Sequence, residues 1–397
     1  MVLGTLVWTK GTPGETPGAT NSNSSALILL RNNMLGAKCL DGSPPGYYFR
    51  PGTGSGRRKW HIYLPGGGWC VTVAECIERA GTHFGSTRGY PKHPSGPAWF
   101  GGILSANETV NPIFHNWNLV RLVYCDGGGY AGTRGRIKLT RSFFQLNSTA
   151  ISARTVRLAA AKNASFDAAG STESTESSKA TYSTESSKST NSSKSTNSSK
   201  STDSSKSTDS SKSAKSRDST KSTQTTESKL SLPSAIYLDG WNIIQAVLQD
   251  LQHHRGFGTA AQILLSGSSA GGQAMANLCD WLASSFPSAS TRCLVDSGFF
   301  LDTRDRFARR TFRAVAQKLT WLHRPFNPTC SHAARRSEQW KCFFLQHTLL
   351  DISTPIFLFQ TPFDYAAAMI GGGGSTRRVQ RGNAKPFSGQ LGLFTIK

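Results

Sequence analysis

The chain has 397 residues, 39 of them glycine, with a hydrophobic share of 37% and a formal net charge of +22. That length admits one large domain or several ordinary ones, and no apolar run approaches membrane-spanning length. A field of this sign gathers anionic partners, yet no nucleic-acid recognition module accompanies it.

Residues 1–25 hold no charged region followed by an apolar one, so no signal peptide is visible and the segment reads as disordered. Ala26–Leu30 and His61–Leu64 read as strands, the second running into Pro65-Gly66-Gly67-Gly68-Trp69. Such a loop is a plain turn, a phosphate cradle or a set of backbone donors. A phosphate loop wants Lys-Ser/Thr next, and here Trp69-Cys70 follow. Glycine lets the backbone approach a substrate closely, so Gly67, Gly68 and Trp69 suit the donor role. Leu119–Tyr124 is a further apolar run, closed by Asp126-Gly127-Gly128-Gly129.

The composition then changes. Residues 141–234 form a low-complexity insertion, and from Asn163 to Leu232 Ser, Thr and Lys dominate. Between Ser183 and Lys212 a six-residue unit, Ser-Thr-(Glu/Asn/Asp)-Ser-Ser-Lys, repeats. With almost nothing apolar to bury, ordering it would cost conformational entropy without return. It reads as a disordered insertion open to O-glycosylation, ahead of a basic docking arm, because Lys and Arg barely exceed Asp and Glu there.

Gly240–Leu251 reads as a helix with Ile243, Val247 and Leu251 on one side. Ile263–Leu265 is a strand that enters Gly267-Ser268-Ser269-Ala270-Gly271, a Gly-x-Ser-x-Gly turn. Met275, Leu278, Cys279 and Leu282 follow at helical spacing. Strand, sharp turn and helix together are the frame of a nucleophile elbow, which stands a serine at the end of a sheet. Ser269 is the expected nucleophile, and Ala270 the expected donor of one N–H to a negative oxygen.

Cys293–Val295 and Pro355–Phe359 complete the strands, the last leading to Thr361-Pro362-Phe363-Asp364. Asp364 suits a triad acid or a turn-capping aspartate equally on spacing, with Asp296 and Asp302 as weaker candidates. The triad order in such hydrolases is Ser, then Asp or Glu, then His. The last histidine is His347, so no base follows Asp364.

Strands alternating with helices predict an α/β fold, a mainly parallel sheet with helices on both faces. One domain is expected, in pieces 26–140 and 235–370 on either side of the insertion, with 371–397 as an uncertain tail. Active groups in such sheets gather beyond the carboxyl ends of the strands, where Ser269, the Gly66–Trp69 loop and Asp364 all fall. Eight cysteines, with no Cys-x-x-Cys pair and no histidine at zinc spacing, favour disulfides over metal. No cofactor or metal is expected. Sequons stand at Asn23, Asn107, Asn147, Asn163, Asn191 and Asn197. Basic clusters at Arg57-Arg58-Lys59 and at Arg304, Arg306, Arg309, Arg310 and Arg313 fit an anionic polysaccharide as well as nucleic acid, or a merely soluble surface.

The chain resembles the pectin acetylesterase family, which includes the animal carboxylesterase Notum. The matching segments are Cys39-Leu40-Asp41-Gly42-Ser43-Pro44-Pro45-Gly46-Tyr47, Gly66-Gly67-Gly68-Trp69-Cys70, Asn111-Pro112 with Asn116-Trp117-Asn118, and Tyr124-Cys125-Asp126-Gly127. Leu265 to Gly272, Asp296-Ser297-Gly298-Phe299-Phe300, and Ser353-Thr354-Pro355 leading to Asp364 follow in the family's order. The resemblance implies an α/β-hydrolase-like three-layer sandwich, secretion to the cell exterior or wall, disulfides, and metal-free ester hydrolysis. It makes Ser269 the nucleophile, Asp364 the acid, and Gly68, Trp69 and Ala270 the oxyanion donors. Pro65 stands where many members carry an acidic residue, and Ser268 where plant members carry cysteine. The leader and triad histidine are absent from the chain, which reads as a coding sequence incomplete at both ends.

The expected activity is deacetylation of an acidic, pectin-like cell-wall polysaccharide, with no nucleic acid and no membrane span. A Notum-like protein deacylase acting on a longer acyl chain, or a glycan-binding protein that kept the fold without the base, are the alternatives.

Overall fold

The computed structural model describes residues 25–33, 35–140, 233–305, 307–327, 330 and 335–360, and the backbone of 395–396. Its strands are β1 (Ala26–Leu29), β2 (Gly46–Arg50), β3 (Lys59–Leu64), β4 (Asn118–Leu122), β5 (Gly135–Lys138), β6 (Ala235–Leu238), β7 (Gln262–Ser268), β8 (Ser290–Asp296), β9 (Ile356–Phe359) and β10 (Thr395–Ile396). The α-helices are α1 (Val73–Ala80), α2 (Pro97–Phe100), α3 (Gly240–Arg255), α4 (Ala270–Ser285), α5 (Thr311–His323) and α6 (Leu345–Thr348). The expected strands and the two long helices following the insertion are all present, with boundaries extended by a few residues.

Eight strands form one mixed sheet in the order β1-β2-β4-β3-β7-β8-β9-β10. From β4 to β9 the pairing is parallel, while β1, β2 and β10 are antiparallel additions at the edges. A separate ribbon pairs β5 with β6. The insertion joins those two strands; residues 141–232, like 1–24 and 361–394, lie outside the described residues.

Strand β7 reads as a nearly continuous buried run, as the centre of a parallel sheet requires. Leu265 from β7 meets Ile62 and Leu64 from β3, Leu122 from β4, and Ile244, Val247, Leu248, Leu278 and Leu282 from α3 and α4. These side chains surround a void of only about 20 Å³, so the core between sheet and helices is nearly filled. Helix α3 stops at Gly256, whose φ of 77° closes the last turn with an N–H to the Leu251 carbonyl. On the opposite face of the sheet the buried His61 pairs with Ser266 at 2.6 Å. Burial lowers the His61 pKa to about 3, so the pair is a neutral hydrogen bond rather than a charge.

All eight cysteines are paired: Cys39–Cys125, Cys70–Cys76, Cys279–Cys293 and Cys330–Cys342. The first ties the segment before β2 to the end of β4, and the third ties α4 to β8. The Asn107 sequon lies in an exposed turn, where its side chain accepts the Thr109 N–H at 2.8 Å. The remaining sequons are outside the described residues.

Loop-closure entropy ranks the crosslinks. Opening Cys39–Cys125, which spans 86 residues, costs about 4–5 kcal/mol, against ~2 kcal/mol for the six-residue span of Cys70–Cys76. Paired Cys→Ser variants compared by urea unfolding will show that order.

Candidate functional site

Strand β7 delivers Ser269 to the carboxyl edge of the sheet in a conformation few residues adopt. Its φ is 50° and ψ −122°, and the next residue opens α4. A non-glycine residue held there costs on the order of 1–3 kcal/mol. Two backbone bonds hold it: the Ser269 N–H donates to the Asp296 carbonyl at 2.8 Å, and the Ser269 carbonyl accepts the Gln273 N–H at 3.0 Å.

The turn is possible because several glycines leave no room for a side chain. A Cβ on Gly271 would lie 2.0 Å from the Leu64 carbonyl oxygen and 2.7 Å from that of Pro65. One on Gly267 would meet the Gly271 carbonyl at 2.4 Å, and one on Gly298 the Gln273 nitrogen at 2.7 Å. Across the gap, Gly66 is as tight: its Cβ would come within 2.7 Å of the Ser269 Cβ and 2.6 Å of the Ser268 oxygen. The structure therefore sets the Gly-rich loop after β3 directly against the elbow, joining the two motifs of the sequence at one sheet edge.

Gly68 differs from Gly66. No atom crowds it, but its φ of 64° is one that glycine adopts without strain. Among the described residues the N–H groups of Gly67, Gly68 and Trp69 have no backbone partner. Ala270 is the first residue of α4, so its N–H is also unspent within the helix. Unspent N–H groups beside a strained serine are the arrangement that stabilises a negative oxygen.

The loop is locked from behind. Tyr130 donates its hydroxyl to the Pro65 carbonyl at 2.9 Å, and Tyr124 donates to the Gly68 carbonyl at 2.6 Å. Cys70 donates its N–H to the Gly127 carbonyl at 3.0 Å and accepts from His323 Nε2 at 2.8 Å. Just beyond, Thr72 and Glu75 cap α1 reciprocally, Thr72 accepting the Glu75 N–H and Glu75 accepting the Val71 N–H. The Cys70–Cys76 disulfide fastens loop to helix.

Two buried ionisable groups stand in this support. Asp126 is 1% exposed; burial raises its pKa to about 6, against the opposing bonds from the Gly128 and Tyr130 N–H groups. His323 is fully buried, and burial holds its pKa near 4. Bonding to a carbonyl fixes the proton on Nε2, leaving Nδ1 without a hydrogen-bond partner among the described residues. Cys70, Cys76 and His323 cluster within metal-binding reach, but sulfurs joined in a disulfide are not thiolate ligands.

The candidate acids fare differently. Asp364 lies outside the described residues. Asp296 holds the elbow through its main chain, and its carboxylate accepts from the Ser297 hydroxyl at 2.9 Å. Asp302 is bound by Arg310 at 3.1 Å and by Arg313, a structural ion pair. Arg309 is paired with Asp305 at 3.0 Å, and Arg304 bonds the Ala308 carbonyl. The second basic cluster is thus largely spent on its own acids, whereas Arg57 and Arg58 are exposed. Ser353-Thr354, whose role was not evident from sequence, gives both N–H groups to Asp280 on α4, at 2.9 and 2.7 Å. Tyr124, Tyr130, Asp126 and His323 were not singled out as site residues either. Tyr124 and Asp126 sit in a recognisable motif; the other two carry no sequence signal.

Gly271→Ala forces its Cβ into two carbonyl oxygens, and is expected to cost about 3 kcal/mol or more in urea unfolding. The depressed His323 pKa makes its contribution to stability full above about pH 6.5, lost as pH falls toward 4. His323→Gln, which keeps an N–H for Cys70, is expected to remove ~3 kcal/mol of that acid-side slope.

Comparison with known proteins gives this geometry a family. The family model described as pectinacetylesterase matches residues 19–148 and 171–370. The chain is 27% identical to pectin acetylesterase 5 of Arabidopsis thaliana over 348 residues, 86% of this chain and 58% of that protein. It is 24% identical to the human palmitoleoyl-protein carboxylesterase NOTUM over 359 residues, 87% of this chain and 52% of the relative. Over 100 residues it is 40% identical to the NOTUM of Schmidtea mediterranea, 25% of this chain. The chain thus spans little more than half the length of these full-span relatives. With the Gly66–Trp69 and Gly267–Gly271 motifs brought together at one sheet edge and the family model matched across both pieces of the fold, the chain belongs to the pectinacetylesterase family.

Proposed function

We propose that this protein is a serine carboxylesterase that removes acetyl groups from an acidic, pectin-like cell-wall polysaccharide, working outside the cell. The observation that carries the reading is the strained Ser269 packed against a glycine loop whose N–H groups have no backbone partner among the described residues. Ser269 attacks the acetyl carbonyl. The oxygen that becomes negative is received by the N–H groups of Gly68, Trp69 and Ala270. The bond to the sugar oxygen then breaks, that oxygen leaves as a hydroxyl carrying the serine proton, and water hydrolyses the acetyl-Ser269 ester to acetate and free serine. Asp364 is assigned the part of the acid that orients a histidine. Residues 365–397 contain no histidine, so these 397 residues do not supply that base after the acid.

The surroundings favour a small acyl group. Trp69 packs edge-to-face with Phe300 and Phe343, at 5.2 and 5.0 Å between ring centres, which fills the flank of the loop with aromatic rings. The larger apolar groove, about 560 Å³ between Trp117, Leu264 and Phe357, lies toward the amino ends of β7, β8 and β9, away from Ser269. That groove therefore does not serve Ser269 as the pocket that the longer chain of a Notum-like deacylase would need. The four disulfides support an oxidising, extracellular setting.

Hydrolysis of 4-nitrophenyl acetate by this chain should exceed that of its Ser269→Ala variant; equal rates would remove the catalytic claim and leave glycan binding without catalysis. Binding of polygalacturonate, if driven by the basic surface, should weaken steeply between about 50 and 500 mM salt. Affinity unchanged by salt would rule out the charge-based substrate assignment.

A further inference from the structure

The Gly68–Trp69 peptide is the one in the glycine loop whose carbonyl is held by a side chain that nothing above assigns to function. Tyr124 donates its hydroxyl to that carbonyl at 2.6 Å and receives the Gly129 N–H at 3.1 Å. Its ring is fully buried, with Tyr130 at 4.8 Å on one side and the Arg79 guanidinium at 5.0 Å from its centre. Burial keeps the phenol protonated, so it can only act as donor toward a carbonyl. A peptide unit is planar and trans, with its C=O and N–H pointing in opposite directions. Fixing the Gly68 carbonyl therefore fixes the direction of the Trp69 N–H.

We propose that Tyr124 is a positioning residue for the oxyanion site: by holding the Gly68 carbonyl it aims the Trp69 N–H at the oxygen that becomes negative. This rests on the esterase reading of Ser269 and adds to it a residue outside the nucleophile, acid and donors. Gly68 makes such a support necessary. At φ 64°, with no atom within 4 Å of where a Cβ would stand, Gly68 has no side chain and no close neighbour on that side to hold its peptide, which leaves the Tyr124 bond to its carbonyl as the restraint. Without Tyr124 the peptide can rotate, and an N–H that wanders loses most of its value to a transition state. Tyr130 is a different case. Its hydroxyl holds the Pro65 carbonyl, three residues upstream of Gly68, so it anchors the base of the loop rather than the donor peptide.

The comparison of Tyr124→Phe with Tyr130→Phe separates the two roles, since each keeps its ring and loses one hydroxyl. For 4-nitrophenyl acetate, with the Ser269→Ala rate subtracted, Tyr124→Phe should lower kcat about tenfold while KM stays within about twofold. Tyr130→Phe should lower kcat by less than about threefold. A Tyr124→Phe kcat within twofold of the parent, or a fall no larger than that of Tyr130→Phe, would overturn the assignment. A second readout does not need chemistry: hydrogen exchange at the Cys70 amide, which donates to the Gly127 carbonyl at 3.0 Å one residue beyond the Trp69 donor. Tyr124→Phe should speed that exchange at least tenfold, and unchanged exchange would count against the proposal. If Ser269→Ala is as fast as the parent, the esterase reading fails, and the exchange measurement alone then judges whether Tyr124 holds the loop.

Discussion

The site depends on backbone touching backbone. Where β7 turns into α4, Gly271 lies so close to the Leu64 and Pro65 carbonyls that a methyl group would overlap the first by more than an ångström. That contact brings the end of β3 and the start of α4 together at the carboxyl edge of the sheet. Of the glycines that follow, Gly66 is tight against Ser268 and Ser269, Gly67 against Phe84 and Tyr124, and Gly68 is set by its positive φ of 64°. The strained φ of Ser269 is the other half of the same arrangement. A serine relaxed into an ordinary helix start would withdraw its side chain from the edge, and the Gly66 contact with its Cβ would be lost.

Sequence alone revealed the parts of this site that obey local rules. Glycines on both sides of a serine, between an apolar strand and an amphipathic helix, encode a sharp turn wherever they occur, so Ser269 was legible. The loop from Gly66 to Trp69 was legible because a run of glycines after a strand has few uses. What escaped is the support. Asp280 accepting the Ser353 and Thr354 N–H groups joins residues more than seventy positions apart, and His323 reaches Cys70 across a larger span still. No periodicity encodes such pairings. The Arg304–Arg313 cluster is a different case. As a string it fitted an anionic partner or a merely soluble surface equally, and only the fold shows that the neighbouring Asp302 and Asp305 pair with three of its arginines.

The disulfides follow the same logic of restraint. The Cys70–Cys76 bridge closes a short loop, so its entropic contribution to stability is modest. Its placement matters more than its size, since it fastens the residue after Trp69 to the first turn of α1. The capping box of Thr72 and Glu75 sets the direction in which that helix leaves. Loop and helix therefore move as one piece, and the donor groups inherit the rigidity of a helix terminus.

The buried charges behind the loop define the conditions in which this rigidity holds. Asp126 has its pKa raised to about 6, so it favours the native state while protonated and costs stability as pH rises through that value. His323 has the opposite sign, its contribution full above about pH 6.5 and lost as pH falls toward 4. Between those limits both groups are uncharged in the folded protein, and Arg79 is the charge that remains among them, lying against the rings of Phe84 and Tyr124. A support made of neutral hydrogen bonds in a dry setting is stiff, because each unpaired partner would carry its full desolvation penalty. Below about pH 6 Asp126 is protonated, and its bonds to the Gly128 and Tyr130 N–H groups then carry no buried charge.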